Sequence, residues 1–285
     1  SDLLSRAAAL TDDSERKVEL YLQLADVLGD LGAPASQRRE ALLSALDLDP
    51  AQPDVAEQLL NLVADTDDAE IRVGALESRV AAGGAPTELY PWLIDAADIR
   101  YQEQELPGQA AQLYKRATDL IAQCSEAWFG LAQVLQATEG PRAAYQALLE
   151  GLSELKSESC AIETHRKLAG FAQAAGNLEA EVVHLDQLVD LGEAEQGEAT
   201  RLLDVLTDLE RLPQLCTRLE SWALSGELLE PEALYMRSAQ VREKLGETNR
   251  AFDIYEMLVR QRGYTANSAA RAMEMLAREK LELGR

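Results

Sequence analysis

The groups available for chemistry in this 285-residue chain are 50 carboxylates, two histidines and three cysteines. His165 and His184 fall on successive helical runs with no third ligand clustered beside them, whereas a zinc site needs three or four convergent donors. They read as surface or packing histidines. Cys124, Cys160 and Cys216 are odd in number and spaced as neither a metal cluster nor a redox pair. Each therefore reads as a small packing residue in a reducing compartment, with no intrachain disulfide. The phosphate-binding loops GxGxxG and GxxxxGK do not occur. Carboxylates this numerous meet by chance along exposed helix faces. The expectation is a chain that is not an enzyme, with no catalytic residue, no metal and no cofactor.

Charge narrows the partners. A formal net charge of -23 opposes phosphate backbones, whose binding rests on lysine and arginine contacts, and it repels anionic lipid. Nucleic acid and membrane are thus both unexpected as partners. Residues 229–285 hold ten basic and nine acidic side chains, which leaves 17 basic and 41 acidic before them. An acidic body with a nearly neutral C-terminal end favours association with basic surfaces, mainly through the on-rate. The plainer reading is the solvated acidic face usual on helical proteins. No run of about 18 apolar residues is present to span a bilayer.

The elements that must position any binding group are helices. From Ser125 to Gly151 the chain sets Trp128, Leu131, Ala132 and Leu135 at helical spacing, breaks at Gly140 and Pro141, and resumes with Ala144, Leu148 and Gly151. Residues three and four apart share one helix face, and the small ones mark where a second helix comes close. The unit is a helix hairpin. Ala110 precedes Ala144 by one period, and Ala97, Tyr101, Ala110, Tyr114 and Ala117 take the equivalent places upstream. Self-similarity at this period signals stacked repeats rather than a globule.

This pattern resembles the tetratricopeptide repeat. The resemblance is strong over Tyr21–Pro50, Ile94–Gly151 and Tyr235–Leu258, weak over 53–84, and drifts by about three residues between 158 and 191. It implies an all-α fold, a right-handed α-solenoid of antiparallel helix hairpins. One repeat domain over residues 1–285 is expected, with about seven hairpins and a helix at each end. Pro91 is expected in the first turn of its helix, where a missing N–H is harmless. The run Leu3, Leu4, Ala7, Ala8 and Leu10 resembles the second helix of a hairpin whose first half lies upstream, which would make the chain a fragment of a longer array.

Members of this family hold peptides or helices on the face lined by the leading helix of each hairpin. In the family's register that face takes Trp92, Asp95, Ile99 and Gln102, then Glu126, Phe129, Gln133 and Gln136. Glu163, Arg166 and Gln173 follow, and then Met236, Gln240 and Glu243. The partner-binding groove is accordingly expected at Trp92, Ile99, Gln102, Phe129, Gln133, Gln136, Gln173, Met236 and Gln240. Lysine, arginine and asparagine, which grip a C-terminal carboxylate in one subclass, are mostly missing from these places. Trp128 and Phe129 point about 100° apart; Trp128 fits the core position and Phe129 the groove.

The expected function is a non-enzymatic protein–protein interaction scaffold or adaptor, bacterial and cytoplasmic. Its partner would be another protein or peptide, with a small GTPase, a response regulator and a motility or cytoskeletal component as the classes considered. Two alternatives stand beside it: a substrate-recruiting or regulatory arm of a larger enzyme or transcriptional regulator, and an envelope assembly factor.

Overall fold

A computed structural model describes residues 2–63, 68–226 and 229–283. Among the described residues every regular element is an α-helix, sixteen in all, and none is a strand. The all-α helix-hairpin fold expected from the sequence is the fold observed. Contacts divide the chain into two units, Ser1–Cys160 and Ala161–Arg285.

The first unit holds α1 (Asp2–Leu10), α2 (Ser14–Asp30), α3 (Ala35–Leu48), α4 (Pro53–Val63), α5 (Ala69–Ala81), α6 (Pro86–Gln102), α7 (Pro107–Leu120), α8 (Ser125–Thr138) and α9 (Pro141–Glu154). Each packs on the next in the chain, and α6 also meets α8. Prolines open α4, α6, α7 and α9, because a first-turn residue has no intrahelical use for its N–H. At α2 and α5, which do not open on proline, a carboxylate takes over: Asp13 Oδ1 accepts the Glu15 N–H at 3.1 Å, and Asp68 Oδ1 accepts that of Ile71 at 3.3 Å.

Pro91 departs from expectation. It lies inside α6 rather than in its first turn, because Pro86 already opens the helix and Glu88 steadies that end by accepting the Ala85 N–H at 3.4 Å. The Thr87 carbonyl therefore lacks its usual helical partner four residues on.

In the second unit, α10 (Glu158–Ala174), which starts just before the division, precedes α11 (Leu178–Asp190), α12 (Gln196–Asp208), α13 (Leu212–Ser225), α14 (Pro231–Lys244), α15 (Thr248–Gln261) and α16 (Ala266–Leu283). Gly176 turns the chain at φ 68°, and Asn177 then caps α11 through its side-chain oxygen, which accepts the Ala180 N–H at 3.2 Å. The interior is leucine-rich: Leu202, Leu206, Leu215 and Leu219 are buried with Trp222 in one cluster, and Ala239, Ala251, Tyr255 and Leu258 in another. Each such leucine contributes about 1.5–3 kcal/mol.

The recurring alanines of the sequence are close-approach points. Ala97, Ala110, Ala144, Ala239 and Ala251 are fully buried. Glycine carries this further in the first unit. A Cβ on Gly130 would stand 2.3 Å from the Tyr114 ring, and one on Gly151 2.6 Å from the Trp128 indole. Aromatic rings on α7 and α8 thus rest on the bare backbone of the following helix, and this closeness demands the small residue.

Arginine joins the hairpins of the second unit. Arg166 Nε on α10 donates to Glu198 Oε1 on α12 at 2.6 Å, Arg218 on α13 holds Asp186 and Asp190 on α11, and Arg237 on α14 reaches Asp204 on α12 at 3.2 Å. Arg201 makes two bonds, of 2.6 and 2.9 Å, to the buried carboxylate of Glu181. Burying a carboxylate is costly unless it is paired and hydrogen-bonded in this way.

Candidate functional site

Helices α6 and α8, the leading helices of consecutive hairpins, lie against each other. The Tyr90 hydroxyl of α6 accepts the Ala127 N–H of α8 at 3.1 Å. Cys124, at the N-cap of α8, makes no side-chain capping bond, so a residue from the neighbouring hairpin satisfies one of the N–H groups that every helix leaves over. Burial pushes the Tyr90 phenol up to about 12. It stays protonated at neutral pH.

On this pair the expected groove residues divide by exposure. Trp92, Ile99 and Phe129 are half-buried; Gln102, Gln133 and Gln136 are exposed, as is Asp95. Trp92 has a neighbour already: the Arg79 guanidinium of α5 lies 4.5 Å from its ring centroid, a cation–π contact. Trp128 is buried, and its indole N–H donates to the Ala122 carbonyl at 2.9 Å. Apolar anchors flanked by amide side chains can grip a peptide by burial and hydrogen-bond its backbone.

The remaining groove positions lie in the second unit. Gln173 on α10 and Gln240 on α14 are exposed, while Met236 is half-buried against the cluster of Tyr255 and Leu258. Arg166 is engaged by Glu198, and Glu243 accepts a hydrogen bond from the Tyr255 hydroxyl. Repeat packing already uses these two side chains.

Two features escaped the sequence reading. His165 and His184, from α10 and α11, bring their Nδ1 atoms to 3.0 Å. Such a contact requires one Nδ1 to donate its hydrogen and the other to accept it, so the accepting ring is neutral. Burial lowers the pKa of both; His184 falls to about 4, the charge of His165 adding to the effect. Among the described residues no cluster of three or more metal-ligating side chains occurs.

The second feature is an open cleft of about 800 Å³ formed by α7, α8 and α9. Trp128, Leu131 and Leu135 form its floor, and none of the nine groove residues lines it. In the sequence both sets of residues read only as packing, since the meeting of two rings and the opening among α7, α8 and α9 depend on how the helices lie against one another.

Among the described residues no helix is long and apolar enough to cross a membrane. No disulfide forms among them either: Cys216 is buried, and Cys124 and Cys160 are half-buried.

No protein-family model matches the chain, and no curated protein matches it. Similar solved structures include a tetratricopeptide repeat protein from Parabacteroides merdae, at 14% identity over 91% of this chain and 98% of that one, with a TM-score of 0.38. PilF of Pseudomonas aeruginosa is similar at 15% identity over 77% and 97%, with a TM-score of 0.39. YrrB, described as a tetratricopeptide repeat protein with an unusual peptide-binding site, is similar at 13% identity over 67% and 98%, also with a TM-score of 0.39.

Proposed function

We propose that residues 1–285 form one repeat domain that serves as a non-enzymatic scaffold, holding a partner protein or peptide on the outward face of α6 and α8. The observation that carries this reading is the pairing of half-buried Trp92, Ile99 and Phe129 with exposed Gln102, Gln133 and Gln136 on two helices fastened by Tyr90. Such a face is preformed, so little ordering accompanies binding. Gln173, Met236 and Gln240 extend the same role to the second unit. A cytoplasmic bacterial setting, with a signalling or motility protein as partner, fits the acidic surface and the reduced cysteines.

Photo-crosslinking tests the proposal. A crosslinking residue at Gln133 or Gln136, in cells of the source organism, should capture one protein that the same residue at exposed Gln214 does not. Equal capture at all three positions would remove the groove from the account.

A further inference from the structure

The cleft formed by α7, α8 and α9 has a size within the range of binding sites, about 300–1,000 Å³, and a floor of large apolar groups. The gap exists because α7 and α9 present Ala111, Ala143 and Ala147 to it, while Leu149 stands at its edge 38% exposed. Its polar floor atoms are already engaged: the Trp128 N–H by the Ala122 carbonyl at 2.9 Å, and the Thr118 hydroxyl by the Lys115 carbonyl at 2.8 Å. With no unused donor at the bottom to orient a polar small molecule, the floor suits an inserted hydrocarbon or aromatic side chain.

The walls carry the second observation. Asp119, Glu139 and Glu150 line the cleft against a single cation, Lys115. None of these three carboxylates enters an ion pair among the described residues, whereas in the second unit Arg166, Arg201, Arg218 and Arg237 are each matched to an acid of another helix. Unmatched negative charge around an apolar floor complements a segment with apolar residues on one side and lysine or arginine on the other. A second copy of this chain, itself at -23, is repelled from the same place.

We propose that this cleft is a second docking site, distinct from the face of α6 and α8, and that it takes a basic amphipathic segment of a partner protein whose apolar side chain seats on Trp128. The segment's cations lie against Asp119, Glu139 and Glu150.

The test uses the full chain and a peptide of about 18 residues, with leucine and lysine at helical spacing, set against the same peptide with glutamate for lysine. Calorimetric titration at physiological salt should show the lysine peptide binding and the glutamate peptide at least about tenfold weaker. The pair Glu139→Lys and Glu150→Lys should weaken the lysine peptide at least about tenfold, while Asp54→Lys with Asp253→Lys, an equal charge change on exposed sites elsewhere, should weaken it less than about twofold. Ala147→Phe, which fills the cleft, should abolish binding with the helical signal retained; if that variant unfolds, the rim pair still decides. Equal losses in the two charge-reversed pairs, no preference for the lysine peptide, or self-association that Ala147→Phe abolishes would each overturn the proposal.

Discussion

The Tyr90 hydroxyl of α6 caps α8 by accepting the Ala127 N–H, 3.1 Å away and wholly buried. Removing only that oxygen, as in Tyr90→Phe, leaves the ring in place and strands a buried N–H. A loss of about 1–2 kcal/mol is expected in denaturant unfolding. An unchanged midpoint would mean that water reaches Ala127 and that the two helices are held by packing alone.

The Trp128 indole and Gly151 present a conflict of two effects. Alanine is a better helix former than glycine by about 1 kcal/mol, yet a Cβ at this place would stand 2.6 Å from the indole Cδ2. Overpacking costs about 1–3 kcal/mol, so Gly151→Ala is expected to lower the melting temperature. Gly108→Ala, on α7 with open space around its Cβ position, should hold or raise it. A stabilised Gly151→Ala protein would show that the indole has room to move.

Much of this packing is legible in the sequence, and the reason is local. Helix starts follow from Pro53, Pro107, Pro141 and Pro213, and the core follows from residues three and four apart, since both depend on neighbours in the chain. What lies between hairpins is less legible. The Arg218 pairs with Asp186 and Asp190, or the meeting of His165 with His184, depend on how one helix is rotated on another. Pro91 misled because Pro86, five residues earlier, satisfies the same first-turn preference. The nine groove residues follow from the register of the repeat that the sequence resembles, which assigns a face; five of them are exposed and Trp92, Ile99, Phe129 and Met236 are half-buried, and what they bind is the proposal.

Acid should weaken the second unit through its histidines. Both pKa values are lowered by burial, His184 to about 4 from an ordinary 6.5, so the folded chain favours the neutral rings. The contribution of His184 is complete above pH 6.5 and is lost as pH falls from there toward about 4; that of His165 changes in the same direction. For His184 the loss amounts to about 2 kcal/mol by pH 5. Comparing the protein with His184→Phe at pH 7.5 and pH 5 isolates this part from the carboxylates: the variant should lose about 2 kcal/mol less. An identical pH dependence would place the ionised ring in water.

Arg201 compensates the buried carboxylate of Glu181. Arg201→Met should destabilise by about 3 kcal/mol, because one charge is left buried without its partner. Replacing both residues, Arg201→Met with Glu181→Leu, should recover most of the loss. Equal destabilisation in the single and double variants would assign the effect to side-chain packing of Arg201.

The central claim, that the outward face of α6 and α8 binds a partner, is tested most directly by one affinity comparison. The protein captured from Gln133 is titrated against the wild-type chain and against Phe129→Ala, each first shown to be folded. Phe129 is half-buried, so its removal carries a modest stability cost. As an anchor it should cost about 2 kcal/mol in binding, some thirtyfold in affinity. An affinity unchanged by Phe129→Ala would contradict the assignment of this face.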